Sequence, residues 1–278
     1  MSLKTTREGN SFESVPIGGT ATCRLPIGLS YEKISLPYGG TTFDPTHMEE
    51  IRVVANGEVI RRYRDVAKLD TINKFDRLDA ASTDKILVLP FTRNGCKTRA
   101  GKEYTMLGTG FPTHVDGKLV NPNPITTLAL EIDVAPTAVA PTLGSPVLHQ
   151  DEPRPTGMIL KTKQYYYSPQ GAGIFDISDL PKGELVNRIF FFGANIKSLE
   201  IIRDNFTAFK RTKAMNERFQ RDGVRTPQAG LFVYDPTEEG LGSEALVTRG
   251  VHDLRFRLDM TGAENIEVIV ETISTLAV

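Results

Sequence analysis

Leu254-Arg255-Phe256-Arg257-Leu258-Asp259-Met260 alternates apolar and polar residues without a break. On a helix this pattern would scatter the apolar side chains around the axis; on a strand it places all of them on one face. The segment is therefore a strand with one face on a core and one turned outward. Leu128, Leu130, Ile132 and Val134 repeat the pattern in TLALEIDV, and Ile266, Val268 and Val270 in IEVIVET. Such strands close both halves of the chain and call for facing antiparallel sheets.

The two halves share one order of elements. Residues 31–38 (YEKISLPY) and 186–192 (VNRIFFF) are strands that run into glycine. Ile51-Arg52-Val53-Val54 precedes Asn56-Gly57, and Leu199-Glu200-Ile201-Ile202 precedes Asp204-Asn205. Both dipeptides suit two-residue hairpins, whose turn positions need positive φ. A basic segment and a short helix follow in each half. The first helix, about residues 65–78, sets Val66, Leu69 and Ile72 on one side; the second, about 212–222, sets Met215 and Phe219 four apart, with Gly223 as its stop. Strands at 86–89 (ILVL) and 231–234 (LFVY) come next. The offset between copies falls from 155 residues (Ile34 to Ile189) to 138 (Leu128 to Ile266), so the second half has shorter connections.

Between the halves, residues 135–157 hold five prolines, which fix φ and remove backbone donors. The reading is an all-β chain of two consecutive eight-stranded jelly-roll β-sandwiches, each with a short helix. The first sandwich spans residues 1–140, a proline-rich semi-extended linker 141–156, and the second sandwich 157–278. Residues 97–126 and 237–251 become loops on the sandwich ends, with Leu107 as a candidate extra strand.

With 33 basic against 34 acidic residues among 278, the net charge is −1, which removes the electrostatic footprint of a nucleic-acid binder. No apolar run approaches the ~20 residues of a helical membrane span. The opening MSLKTTREGNSF lacks the apolar core of a secretion signal, so synthesis in the cytoplasm is expected. Cys23 and Cys96 stand apart, without the spacing of a zinc site or a disulfide framework.

Chemistry-bearing motifs are weak. Gly240-Leu241-Gly242-Ser243-Glu244-Ala245 has the letters of a dinucleotide loop, but Asp235, Glu238 and Glu239 precede it and no helix follows. Those three acids could collect calcium, although a solvated loop accounts for them better. His47, His114, His149 and His252 are scattered, and no GxSxG elbow exists. No catalytic residue and no cofactor is assigned; the chain is read as a non-enzyme. Arg61, Arg62 and Arg64 match Lys210, Arg211 and Lys213 in position, which suits either a positive rim on anionic lipid or ordinary solubility charge. Tyr165-Tyr166-Tyr167 and Phe190-Phe191-Phe192 put aromatics on both faces of a strand. Subunit contact accounts for that surplus, and a sheet buried on both faces accounts for it equally.

Cys23-Arg24-Leu25-Pro26-Ile27-Gly28, Tyr31-Glu32 and the strand ending Tyr38-Gly39-Gly40 resemble the N-terminal run of the corticovirus-type major capsid protein. Ile51–Val54, Asn56-Gly57 and Tyr63 continue that pattern, and residues 253–259 and 266–271 resemble the family's last two strands. The resemblance implies a double jelly roll, homotrimers of pseudo-hexagonal outline, and capsomers tiling an icosahedral virion around an internal membrane. It also implies neighbouring capsomers, penton or vertex proteins and the membrane or its proteins as partners, without direct contact to nucleic acid. A virion capsid protein assembled in the cytoplasm of a bacterial host, from a bacteriophage or prophage, is the expectation. Family trimers can bind calcium as a structural ion, and no ligands for it are assigned here. The rival reading is a two-sandwich carbohydrate-binding or surface-adhesion protein, with Tyr165–Tyr167 as its platform.

Overall fold

The computed structural model describes residues 4–78 and 84–276. They fall into two compact units, Met1–Thr162 with Ser274–Val278, and Lys163–Ile273. In the first half the strands are β1 (Thr5–Glu8), β2 (Thr20–Arg24), β3 (Ser30–Gly39), β4 (Met48–Ala55), β5 (Glu58–Tyr63) and β6 (Ile86–Pro90). They continue with a small hairpin, β7 (Thr113–Val115) and β8 (Lys118–Val120), then β9 (Leu128–Val134), β10 (Thr142–Leu143) and β11 (Val147–Asp151). The second half has β12 (Ile159–Tyr167), β13 (Gly173–Ile177), β14 (Leu185–Phe192), β15 (Ile196–Arg203) and β16 (Phe206–Thr212). It closes with β17 (Leu231–Tyr234), β18 (Leu246–Val247), β19 (Leu254–Met260) and β20 (Ile266–Ser274).

One half forms the sheets β1-β11-β3-β6 and β2-β9-β4-β5, with β10 also on β3. The other forms β12-β20-β14-β17, with β18 also on β14, and β13-β19-β15-β16. Leaving out the short β7, β8, β10 and β18, each half has eight strands in sheet orders 1-8-3-6 and 2-7-4-5. That is the jelly roll, built twice. The copies agree even in their irregularities: the ladder skips Glu32 between β11 and β3, and Asn187 between β20 and β14.

The strands form where alternation predicts. β9 and β19 bury every second residue along their length. The hairpin turns adopt the required conformation, with φ of 51° and 83° at Asn56-Gly57 and 47° and 65° at Asp204-Asn205. Leu107 contributes a single bridge, to Tyr31, rather than a strand.

The expected linker is different. Val147–Asp151 lies between β1 and β3, and Thr142–Leu143 pairs with the far end of β3. Pro146 and Pro153 bracket six residues that keep all their backbone donors, which is enough for a ladder. The following Arg154–Thr156 is tied down too. Arg154 bonds Glu103 at 2.7 Å, Thr156 N–H bonds Asn121 at 3.2 Å, and Gly110 N–H bonds Arg154 O at 2.8 Å. Residues 141–156 are part of unit 1.

Helices Val66–Phe75 and Lys213–Gln220 are capped by Asp65 and Thr212. The first buries Val66, Leu69 and Ile72 as expected. The second turns the other way: Asn216 and Gln220 are buried, while Met215 and Phe219 are exposed. A hydrogen bond outweighs the apolar pair here. Asn216 Nδ2 donates to Val233 O at 2.7 Å and Gln220 Nε2 to the same oxygen at 2.9 Å. Val233 lies on the edge strand β17, so its outward carbonyl needs a donor once buried. Asn73 does the same in the first half, bonding Val88 O on edge strand β6 at 2.9 Å. Asn73→Leu and Asn216→Leu should each lower stability by about 1–3 kcal/mol. Urea unfolding of the single variants checks this, and unchanged midpoints would refute the clamp.

Candidate functional site

The basic residues singled out in the sequence differ in their surroundings. Arg61 is buried (2% exposed), hydrogen-bonds the Tyr63 hydroxyl and lies 5.5 Å from that ring's centre. It cannot face lipid in this fold, because β5 alternation turns it inward beside Tyr63. Arg62 Nη2 bonds Glu50 at 2.8 Å. Arg211 bonds Glu238 at 2.6 Å and stacks on Phe209 and Phe219, at 5.0 and 4.6 Å. Arg64 and Lys210 are exposed, and Lys213 is half-buried. Strand register makes Arg62 and Lys210 equivalent, opposite Arg52 and Glu200 respectively, but gives Arg61 the place of Phe209. The two clusters match in sequence order but only partly in strand register.

The aromatic triplets separate likewise. Phe190 and Phe191 are fully buried, which removes them from any subunit contact; Phe192 is half-buried. β14 and β20 bury residues on both faces, so the doubly covered sheet is the explanation that holds for the phenylalanines. Tyr165 and Tyr167 pack against the unit 2 core, and Tyr167 donates to Asp179 at 2.7 Å. Only Tyr166 of that triplet is exposed. A flat aromatic platform for sugar is not formed.

The acidic loop is committed to arginine. Arg225, buried at 1% side-chain exposure, bonds Asp235 at 2.8 Å and Asp222 at 2.6 Å. Its remaining donors reach the Thr237 and Glu238 carbonyls at 3.3 Å, while Asp235 accepts from Thr237 N–H and Oγ1–H. Burial raises the Asp222 carboxyl, but the Arg225 and Val224 amides and the Arg225 charge outweigh it and hold the group below its ordinary range. Glu238 pairs with Arg211, and of the three acids Glu239 is the exposed one. Among the described residues no three His, Cys, Asp or Glu side chains could hold a metal. Gly242–Glu244 is a single 3₁₀ turn, without the helix that a dinucleotide loop opens. His47 lies 3.0 Å from Asp44, and His149 lies 3.1 Å from Ser35.

What the residues do build is surface and edge. Phe206, Ile174, Phe111, Phe219 and Met215 are exposed large apolar side chains. An open cleft of about 480 Å³ in unit 1 is lined by Phe111, Val120, Pro153 and Pro155, with Arg154 as its charged group. The buried ion-pair node at Arg225 and the two asparagine clamps carry no sequence motif. Asn73 and Asn216 stand at different distances from their helix caps, so aligning the two copies along the sequence does not bring them together.

Residues 6–146 match the viral coat protein P2 N-terminal domain, and residues 159–276 match its C-terminal domain. The chain belongs to the viral coat protein P2 family. It is 24% identical over 275 residues to the major capsid protein P2 of Pseudoalteromonas phage PM2, covering 94% of each chain. The crystal structure of the P2 protein of bacteriophage PM2 superposes with a TM-score of 0.87 at 21% identity, over 99% of this chain and 98% of that one. The STIV MCP structure follows at 0.66 and 8% identity, over 99% and 97% of the chains. The PBCV-1 virus capsid gives 0.65 at 10% identity, over 98% and 94%. Those structures share the double jelly roll. This coat-protein family is structural rather than enzymatic.

Proposed function

We propose that the chain forms the virion shell as pseudo-hexagonal homotrimers that tile an icosahedron around an internal membrane. The observation that carries this is the exact repetition of strand order, 1-8-3-6 and 2-7-4-5, in two units of one chain. Three such chains about a threefold axis supply six similar sandwiches, and six similar sandwiches suit a lattice of sixfold neighbours. The match to the PM2 capsid protein along nearly the whole length supports the reading. Within it, neighbouring capsomers and vertex proteins are the partners.

Light scattering after size-exclusion chromatography tests it, together with electron microscopy of negatively stained protein. Three times the chain mass, a hexagonal outline and phospholipid in purified particles are expected. A stable monomer at high concentration, with no particles in producing cells, would overturn it.

A further inference from the structure

In unit 1 the outward edge of β5 is closed by one side chain. Thr162 Oγ1 accepts from Arg62 N–H at 2.7 Å and donates to Arg62 O at 3.0 Å. Antiparallel residues alternate between pairs that exchange bonds and pairs whose backbone groups point away. Arg62, opposite Arg52, is of the second kind.

Unit 2 repeats this edge without the clasp. Lys210 stands opposite Glu200 as Arg62 stands opposite Arg52, and both ladders break one step further along, at Val53/Val54 and Ile201/Ile202. The Lys210 N–H and C=O therefore point away from β15. No described residue bonds to them. β16 is exposed along most of its length, with Phe206 at 72%. An open edge of this kind is a template for another chain.

The place of Thr162 has a counterpart as well. Thr162 lies on β12, the first of the second set of eight strands; β1 is the first of the other set. Tyr165 and Tyr167 turn into the unit 2 core, so Thr162 and Gln164 take the opposite face of β12. On β1, Arg7 stands opposite the buried Leu148, so Thr6 and Glu8 take the opposite face there. Thr6-Arg7-Glu8 thus repeats the face pattern of Thr162-Lys163-Gln164, with a threonine on the same face of the first strand in each set. Thr6 is exposed and bonds no described side chain or loop. Glu8 is exposed and forms no ion pair among the described residues, while Lys210 and Lys213 flank the open edge of unit 2. Lys210 lies 3.5 Å from Glu200, and Lys213 is the positive charge complementary to Glu8.

We propose that Thr6 of one copy clasps the Lys210 backbone of a neighbouring copy, repeating between chains the bond that Thr162 makes to Arg62 within one. This rests on the shell reading above and names the contact that would close its ring. Exchanging two hydrogen bonds for water at each of three joints makes the contact a matter of register as much as of affinity.

Two measurements on the full-length chain test it. Thr6→Val keeps the shape of the side chain and removes the hydroxyl. It should leave the unfolding temperature of dissociated chains unchanged and raise the concentration at which oligomers dissociate about tenfold. In a Cys96→Ser background, Thr6→Cys with Lys210→Cys should give covalent dimers and trimers on mild oxidation, and neither single change should. If wild-type chain forms oligomers or particles and neither effect appears, the clasp is wrong and the shell reading stands. If wild-type chain forms neither, both fail.

Discussion

Arg225→Met is expected to destabilise unit 2 by about 3–5 kcal/mol, because it leaves the Asp235 carboxylate buried without its counter-charge. Asp235 is fully buried, and its second oxygen is already used by Thr237. Water cannot replace the guanidinium in that space. Urea unfolding followed at unit 2 by hydrogen exchange reads the effect. The double change Arg225→Met with Asp235→Asn should recover at least half of the loss, since the amide keeps an acceptor for Thr237 and the one carboxylate left without arginine, Asp222, is partly exposed. A single variant within about 1 kcal/mol of wild type would show that the pair is not desolvated as the structure has it.

Gly108→Ala is expected to be almost as damaging, at about 3 kcal/mol, for a reason of space. A Cβ at Gly108 would lie 2.2 Å from Pro155 O and 2.8 Å from Arg154 O, both backbone atoms that no rotamer can move. The strand-like run beyond β11 would lift away, and the Gly110 and Thr156 amides would lose protection against hydrogen exchange. Gly157→Ala is the control, since a Cβ there meets nothing within 4 Å. Equal melting temperatures for the two variants would refute the packing.

Both sites lie where reading along the chain is least informative. The five prolines of residues 135–157 signal an absence of donors, and that signal is correct at each proline. It says nothing about Val147–Asp151 between them, whose partners β1 and β3 lie more than a hundred residues away in the chain. Gly108 and Gly110 fall in the stretch read as an end loop with Leu107 as a candidate extra strand. They are required instead by the close approach of a second backbone.

The helix Lys213–Gln220 shows the same limit from another side. Met215 and Phe219 recur with helical period, and period alone assigns them to the core. The orientation was decided by the carbonyl of Val233, an edge-strand acceptor that two amides reach and no apolar side chain could satisfy. Arg61 is the converse case. Its charge reads as surface, while strand alternation and the Tyr63 ring make a place for it inside.

Alternation, turn chemistry and the repeated order of elements are local properties of a chain, because side-chain period and positive φ depend on near neighbours. They were enough to establish an all-β chain of two similar sandwiches, although residues 128–134 are the counterpart of 254–260 rather than of 266–270, whose counterpart is Val147–Asp151. The N-terminal and C-terminal runs established the kinship with phage capsid proteins. Which charges pair, which aromatics leave the surface and which strand edges stay open depend on segments brought together from distant parts of the chain. Only the tertiary structure decided these, since burial and hydrogen-bond satisfaction belong to the packed neighbours and not to the residue itself.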